Sequence, residues 1–235
     1  MGFVTLTVSR PDQGEFAWSV AIAPEVARDE AAAGQIREVV AGAETGESVQ
    51  LWIEQAGGRD DAFAAELGFQ PYRDLWRMQR PLPAPRADIA TRAFVPGADE
   101  EAFLAVNNRA FHWHPEQGGM TAAGLAERMA EGWFDAEGFR LHERDGRLAG
   151  FCWTKVHPDE SPPGGEIYAI AVDPDYHGQG LGKPMTLAGL DHLADEGLDM
   201  GFLYVESDND PAVATYRRLG FDHQSTNRAY RHLVK

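Results

Sequence analysis

The stretch Ile167-Tyr168-Ala169-Ile170-Ala171-Val172-Asp173-Pro174-Asp175-Tyr176-His177-Gly178-Gln179-Gly180-Leu181-Gly182 decides how this chain is read. An apolar run that ends at Asp-Pro predicts a buried strand over 166–172, and the glycines behind it open a helix predicted over 183–196. Glycines at a strand-to-helix turn leave backbone N–H groups free to converge on an anion, and the helix dipole adds positive potential there. That geometry suits a pyrophosphate. A glycine-rich turn can equally be a plain tight connection, so the turn alone leaves both readings open. It is not a dinucleotide G-x-G-x-x-G, nor a P-loop, because no Gly-Lys-Ser/Thr follows.

Working outward, a strand is predicted over 201–206, a helix over 210–218 and a final strand pair within 221–234. Upstream, helices are predicted over 99–112 and over 121–133, the second opened by Thr121. Strands are predicted over 140–142 and 148–156, turned at Asp145-Gly146. The order is that of a mixed α/β domain. The chain also repeats itself: Leu51-Trp52-Ile53-Glu54 is echoed by Leu203-Tyr204-Val205-Glu206, and Leu67-Gly68-Phe69 by Leu219-Gly220-Phe221, both at an offset of 152 residues. Gly14-Glu15-Phe16 likewise faces Gly165-Glu166-Ile167 with one residue of slippage. So long a period means two related domains and not a solenoid. In the first copy strands are expected over 15–22 and 48–54, helices over 29–42 and 60–67, and a strand pair up to 82. Arg80-Pro81-Leu82-Pro83-Ala84-Pro85 favours extended geometry and ends regular structure, which sets the expected domains at 1–85 and 86–235. The first copy lacks a counterpart to the front half of the second and reads as truncated.

Composition narrows the function classes. Of 235 residues, 43% are hydrophobic and 25% charged, as in a soluble globular protein. No apolar run reaches the roughly 18 residues of a membrane span and the N-terminus has no signal-peptide pattern, so the default location is cytoplasmic. The single cysteine, Cys152, makes no internal disulfide and no zinc site, and reads as a small core residue. His114, Glu116 and His157 invite a metal reading, but such spacing is commonplace in a chain with 8 histidines and no metal is expected. A formal charge of −16 repels a phosphate backbone, which argues against nucleic acid.

The second signal is Asn209-Asp210-Pro211-Ala212-Val213-Ala214-Thr215-Tyr216-Arg217-Arg218-Leu219-Gly220-Phe221, directly after the strand ending Val205-Glu206. Together, the two stretches resemble the acyl-CoA site of the GNAT acetyltransferase superfamily. The resemblance implies an acyl-CoA N-acyltransferase fold in tandem, its first copy incomplete, and acetyl-CoA as co-substrate. It places the CoA pyrophosphate on His177, Gly178, Gln179, Gly180, Leu181, Gly182 and Lys183, where the family usually carries Gln or Arg in place of His177. The pantetheine arm falls on Ile170, Ala171 and Val172, with Asn209 and Ala212 as further cofactor contacts, and Tyr216 donates a proton to the departing thiolate.

Upstream, Asn107-Asn108-Arg109-Ala110-Phe111, His114-Pro115-Glu116-Gln117-Gly118-Gly119 and Trp153-Thr154-Lys155-Val156-His157-Pro158-Asp159 narrow the likeness. These runs are similar to the mycothiol synthase family, tandem GNAT proteins of actinobacteria that acetylate the cysteinyl amine of Cys-GlcN-inositol. This resemblance covers nearly all of residues 80–232. It implies that small molecule as substrate, with Glu116, Lys155, Glu166 and Tyr204 as its contacts; with the charge and the lack of an apolar span, no nucleic-acid or membrane partner is expected. Two other readings stay open: a GNAT enzyme for another amine, and a remnant that holds acyl-CoA without turnover.

The residues support this chemistry independently. A cysteine α-amine has a pKa of about 7.7–8.0, so a carboxylate can remove its proton directly or through water. Glu166 leads into the glycine turn, and strand alternation aims it to one face with Tyr168 and Ile170. Read blandly, Glu166 is a strand-end carboxylate, Tyr216 a core residue beside Val213 and Leu219, and Lys155 a solvated strand residue. In the first copy the corresponding turn, Pro24-Glu25-Val26-Ala27-Arg28-Asp29-Glu30, has no glycine, and the position matching Tyr216 is Ala64. Carboxylates near a pyrophosphate cost binding, so the first copy is expected to be non-catalytic, covering sheet surface or closing part of the substrate cleft.

Overall fold

The computed structural model describes residues 6–10, 15–112 and 118–235. In chain order the elements are β1 (Thr7–Ser9), β2 (Phe16–Ile22), α1 (Glu30–Ala41), β3 (Ser48–Ile53), α2 (Gly58–Glu66), β4 (Gln70–Pro81), β5 (Arg92–Ala93), α3 (Glu100–Ala110), α4 (Ala122–Ala130), β6 (Phe139–Arg144), β7 (Arg147–His157), β8 (Gly164–Val172), α5 (Gly182–Asp195), β9 (Met200–Glu206), α6 (Asp210–Arg218) and β10 (Asp222–Leu233). A single 3-10 turn, Pro174–Tyr176, links β8 to the glycines. Among the described residues no helix is long and apolar enough to cross a membrane.

Two compact units emerge, and neither is contiguous in sequence. The first takes residues up to Arg77 together with Val205–Asp210 and His223–Lys235; the second takes Met78–Tyr204 and Pro211–Asp222. This differs from a cut at 85/86 for a plain reason. The last strand of the chain, β10, pairs antiparallel with β3, Arg228–Leu233 against Ile53–Ser48, and so its residues join the first unit.

In the first unit the strands lie in the order β1-β2-β3-β10-β4. Strict alternation in β3 buries Val49, Leu51 and Ile53, and these meet Val20, Ile22, Ile36 of α1, Phe69 and Tyr230 in one apolar cluster. Tyr230 is fully buried, and its hydroxyl donates to Asp61 at 2.8 Å. The core of this unit therefore depends on a side chain from the far end of the sequence.

The second unit orders its strands β4-β9-β8-β7-β6-β5, with β4 and β9 lending residues to both units. On β7 successive side chains take opposite faces. Phe151 and Trp153 join Phe94, Phe103, Phe139 and Leu125 in an aromatic cluster under α3 and α4. Trp153 stacks on Phe139 with centroids 4.5 Å apart. Cys152 and Thr154 point the other way, toward α5, where a Cβ on Gly189 would come within 2.4 Å of the Cys152 sulfur. Gly189 is thus what lets α5 lie close on the sheet.

The Leu-Gly-Phe repeat has a structural cause. Gly68 and Gly220 both adopt positive φ, at 80° and 83°. In each case the glycine N–H bonds back to the carbonyl three residues earlier, and the following Phe N–H reaches a carbonyl five residues earlier, Ala64 or Tyr216. This is the hydrogen-bond pattern of a left-handed helix stop, in which glycine carries no Cβ penalty. Each stop launches a long strand. The strand pairs expected up to 82 and within 221–234 are in fact the single strands β4 and β10, because no turn residue with positive φ interrupts either one. The short strands β1 and β5 had no counterpart in the sequence reading.

Candidate active site

Strand β8 carries the site. It pairs with β7 on one side and, over Gly165–Ile167 only, runs parallel to Gly201–Leu203 of β9 on the other. Beyond Ile167 the strand continues to Val172 without further rungs to β9, so the backbone of the expected pantetheine strand, Ile170, Ala171 and Val172, is released on that side. A bulge sits at the point of release: Trp153 pairs with Ala169 and Thr154 with Ile167, which leaves Tyr168 as the extra residue. The bulge corrects one expectation. Glu166 and Tyr168 share a face, but Ile170 pairs with Cys152 and turns to the α5 side, because one inserted residue inverts the alternation that follows.

Glu166 is buried, with 8% of its surface exposed. It lies opposite Lys155 in register and accepts a hydrogen bond of 2.6 Å from Nε2 of His157, two residues further along β7. Phe202, its partner on β9, packs against the His157 ring at 5.3 Å and against Tyr204 at 6.0 Å. Tyr204 is 38% exposed. The Lys155 ammonium sits 4.7 Å from the Trp133 ring centroid and 5.9 Å from that of Tyr168, an arrangement that holds a cation by the ring faces. Arg128 donates to the Tyr168 hydroxyl at 3.1 Å. Glu166, Lys155 and Tyr204 thus come together in the second unit, on a polar surface backed by aromatic rings. Glu116 and His114 lie outside the described residues. His157 is the member that sequence reading passed over as a weak metal candidate: it stands at the next alternate position after Trp153 and Lys155, one residue beyond the strand expected over 148–156, and β7 in fact runs through it.

The glycine turn is open where an anion would sit. Gly178 and Gly180 have φ of 75° and 76°, and a Cβ added at Gly178, Gly180 or Gly182 would meet nothing within 4 Å. Leu181 caps α5 without any side-chain hydrogen bond, so the first N–H groups of the helix have no side-chain acceptor there. Lys183 stands in the first turn. The rest of the turn is braced: His177 Nε2 donates to the Val172 carbonyl at 2.9 Å, Arg144 donates to Gln179 at 2.7 Å, and Arg147 donates to Asp175 at 3.0 Å. Arg109 pairs with the buried Asp173, and these arginines hold the Asp175 carboxyl below its usual range, the Arg147 hydrogen bond being the largest cause. Because His177 is turned onto the strand it leaves, its backbone and not its ring is what faces the cradle.

The corresponding helix of the first unit is built the other way. Asp29 caps α1 with its own carboxylate, which accepts from the Ala32 N–H at 3.0 Å. Arg28 reaches across the preceding turn, donating to the Ala23 carbonyl at 3.0 Å and to Asp60 at 2.7 Å. An anion approaching that helix would meet a carboxylate already in place.

Tyr216 lies in α6, its ring 5.8 Å from Phe221. Burial pushes its hydroxyl well above the usual tyrosine range, and the nearby Cys152 thiol adds to the effect. The group therefore keeps its proton through the physiological range. Cys152 is buried and its thiol is pushed up to about 12, which leaves it a packing residue. Ala212 is in the first turn of α6, and Asn209, whose N–H bonds to the Glu206 carbonyl at 3.0 Å, belongs to the segment Val205–Asp210 of the first unit. Among the described residues no group of three or more His, Cys, Asp or Glu side chains is placed to hold a metal ion.

The strand that parts from its neighbour, the bulge at the parting and the uncapped glycine turn all lie within residues 101–221, which match the Acetyltransferase (GNAT) family. The chain belongs to the GNAT acetyltransferase family. It is 48% identical over 191 residues to a mycothiol acetyltransferase of Catenulispora acidiphila, covering 77% of this chain and 61% of that protein. A mycothiol acetyltransferase of Streptomyces coelicolor is 45% identical, covering 80% of this chain and 63% of that protein. One of Nocardia farcinica is 40% identical over 97% of this chain and 78% of that protein. The chain spans less than two thirds of the length of the first two. Among solved structures, a GCN5-related N-acetyltransferase from Sphaerobacter thermophilus superposes with a TM-score of 0.70 at 20% identity, covering 92% of this chain and 73% of that one. A tandem GNAT protein from the clavulanic acid biosynthesis pathway superposes at 0.65 and 17% identity, covering 98% and 78%. At these identities the likeness is one of fold.

Proposed function

We propose that the second unit transfers the acetyl group of acetyl-CoA to the cysteinyl amine of Cys-GlcN-inositol, giving the N-acetylated thiol mycothiol, and that the first unit is non-catalytic. The observation that carries this reading is the buried Glu166, tied to His157, on the strand that runs into an open glycine turn. The relatives that carry the name mycothiol acetyltransferase support the choice of amine.

Each residue has a step. The turn from His177 to Lys183 seats the CoA pyrophosphate on backbone N–H groups at the start of α5. The freed strand edge of Ile170–Val172 receives the pantetheine amides, with Ala212 as a further contact. Glu166 takes one proton from the substrate ammonium, and His157 holds the carboxylate in position from behind. The neutral amine then bonds to the acetyl carbon. Backbone N–H groups at the Tyr168 bulge stabilise the negative charge that develops on the acetyl oxygen. As the carbon–sulfur bond breaks, the nitrogen gives up its second proton to solvent, and Tyr216 gives its proton to the CoA thiolate and later regains one from solvent. The balance is an ammonium and a thioester converted to an amide, a thiol and one released proton. Lys155, Glu116 and Tyr204 hydrogen-bond the sugar and inositol.

Replacing Tyr216 by Phe tests the acid. Because burial raises the hydroxyl pKa, the proton is present below that raised value and is lost only above it. Native kcat should therefore show no fall from Tyr216 ionisation below pH 10, while Tyr216→Phe should lower kcat by about 10²-fold across that whole range. A native rate that falls with a Tyr216-dependent midpoint between pH 7 and 9, or a variant within threefold of native, removes Tyr216 from this role.

A further inference from the structure

Tyr168 has no rung on either side. No residue of β7 pairs with it in register, and the rungs to β9 end one residue earlier, at Ile167. Neither ladder fixes its backbone, so the direction of its N–H follows from what holds its ring. The ring lies 4.9 Å from that of Trp133, tilted, and 5.3 Å from that of Trp153, edge to face, while its hydroxyl accepts from Arg128 Nε at 3.1 Å. Arg128 comes from α4. Leu125, three residues earlier and so on the same helix face, is fully buried in the aromatic cluster, and that contact turns Arg128 toward β8. The guanidinium is half-buried and makes no ion pair with any described residue. It also donates, at 3.4 Å, to the Gly124 carbonyl of its own helix. Cations drawn out of water are usually paired with a carboxylate. This one faces the hydroxyl of the bulge residue.

Resting on the reading above, we propose that Arg128 is a positioning residue for the acetyl transfer: it fixes the Tyr168 hydroxyl, and through the ring it sets the unpaired Tyr168 backbone so that its N–H meets the acetyl oxygen. In this role Arg128 touches neither substrate. The hydroxyl is the end of the side chain farthest from the backbone, so a bond there removes the ring motions that apolar contact with two indoles leaves open. A misdirected donor is felt chiefly in the transition state, where the negative charge on the oxygen develops, and less in the bound thioester. The loss should therefore fall on kcat and not on KM.

Steady-state kinetics of the full chain with acetyl-CoA and Cys-GlcN-inositol test this in Arg128→Met, Tyr168→Phe and the two combined. Met keeps an unbranched stem in the helix and removes the donors. Each single variant should lower kcat about tenfold, with KM for both substrates within about twofold of native and a melting temperature within about 4 °C. Should Arg128→Met melt lower than that, Tyr168→Phe, which loses one oxygen only, decides. Arg128→Lys keeps a donor and a charge and should bring the rate back to within about threefold of native. The double variant should be no slower than either single one, because both substitutions remove the same bond. A kcat for both single variants within about twofold of native, a loss carried by KM for the amine, or two losses that multiply in the double variant overturns the proposal and leaves the acetyltransferase reading standing. If the native chain acetylates neither Cys-GlcN-inositol nor free cysteine, both fall together.

Discussion

Replacing Glu166 by Gln should lower kcat by about 10²- to 10⁴-fold while leaving the affinity for acetyl-CoA within about twofold of native. The isosteric amide removes the proton acceptor and the negative charge while keeping the shape of a side chain that is buried and held at 2.6 Å by His157. Stopped-time assays of N-acetyl product, with calorimetry on the same preparation, separate the two quantities. His157→Gln retains a donor for the carboxylate and should cost about tenfold, less than loss of the carboxylate itself. If Glu166→Gln turns over within threefold of native, the carboxylate is a structural group and the base must be sought elsewhere. If acetyl-CoA affinity falls in step with kcat, the substitution has disturbed the strand.

Gly180→Glu should abolish acetyl-CoA binding, a loss of at least about 100-fold. Two effects act together. At a φ of 76° an L side chain is strained by about 1–2 kcal/mol, and the added carboxylate would face the position proposed for the pyrophosphate. The Cβ itself meets nothing within 4 Å, so the protein should fold. Gly180→Ala carries the strain without the charge and should show only a small part of the loss. The same titrations on native protein should give one site per chain. The helix start of the first unit is already capped by Asp29 and its turn is filled by Arg28, so two equal sites, or a Gly180→Glu variant that binds normally, would contradict the assignment of the phosphates to the second unit.

Much of this arrangement is legible in the sequence where local rules dominate. The buried strand, the glycine turn and the α5 helix follow from Ile167–Val172 and the glycines after it, since apolar run, breaker and positive-φ residues all point to one structure. The turn at Asp145-Gly146 is where its residues require it, with φ of 52° and 72°. What the sequence does not disclose are the non-local features. Pairing of β10 with β3 joins residues about 180 positions apart, and nothing within β10 announces its partner. The Tyr168 bulge depends on which residues of β7 face β8, so strict alternation misplaces Ile170. His157 shows the same limit: its own strand position is readable, but its bond to Glu166 exists only once β7 and β8 are in register.

The most direct test of the central claim compares kcat/KM for Cys-GlcN-inositol and for free cysteine, with acetyl-CoA saturating. Both amines carry thiols, so the N-acetyl products should be followed by mass spectrometry and not by a thiol reagent. If Lys155, Tyr204 and Glu116 bond hydroxyls as proposed, those groups are left unpaired when the sugar and inositol are missing. The account predicts a preference for the pseudodisaccharide of about 10²-fold or more. Equal efficiency on the two amines would contradict it and leave a general amine acetyltransferase.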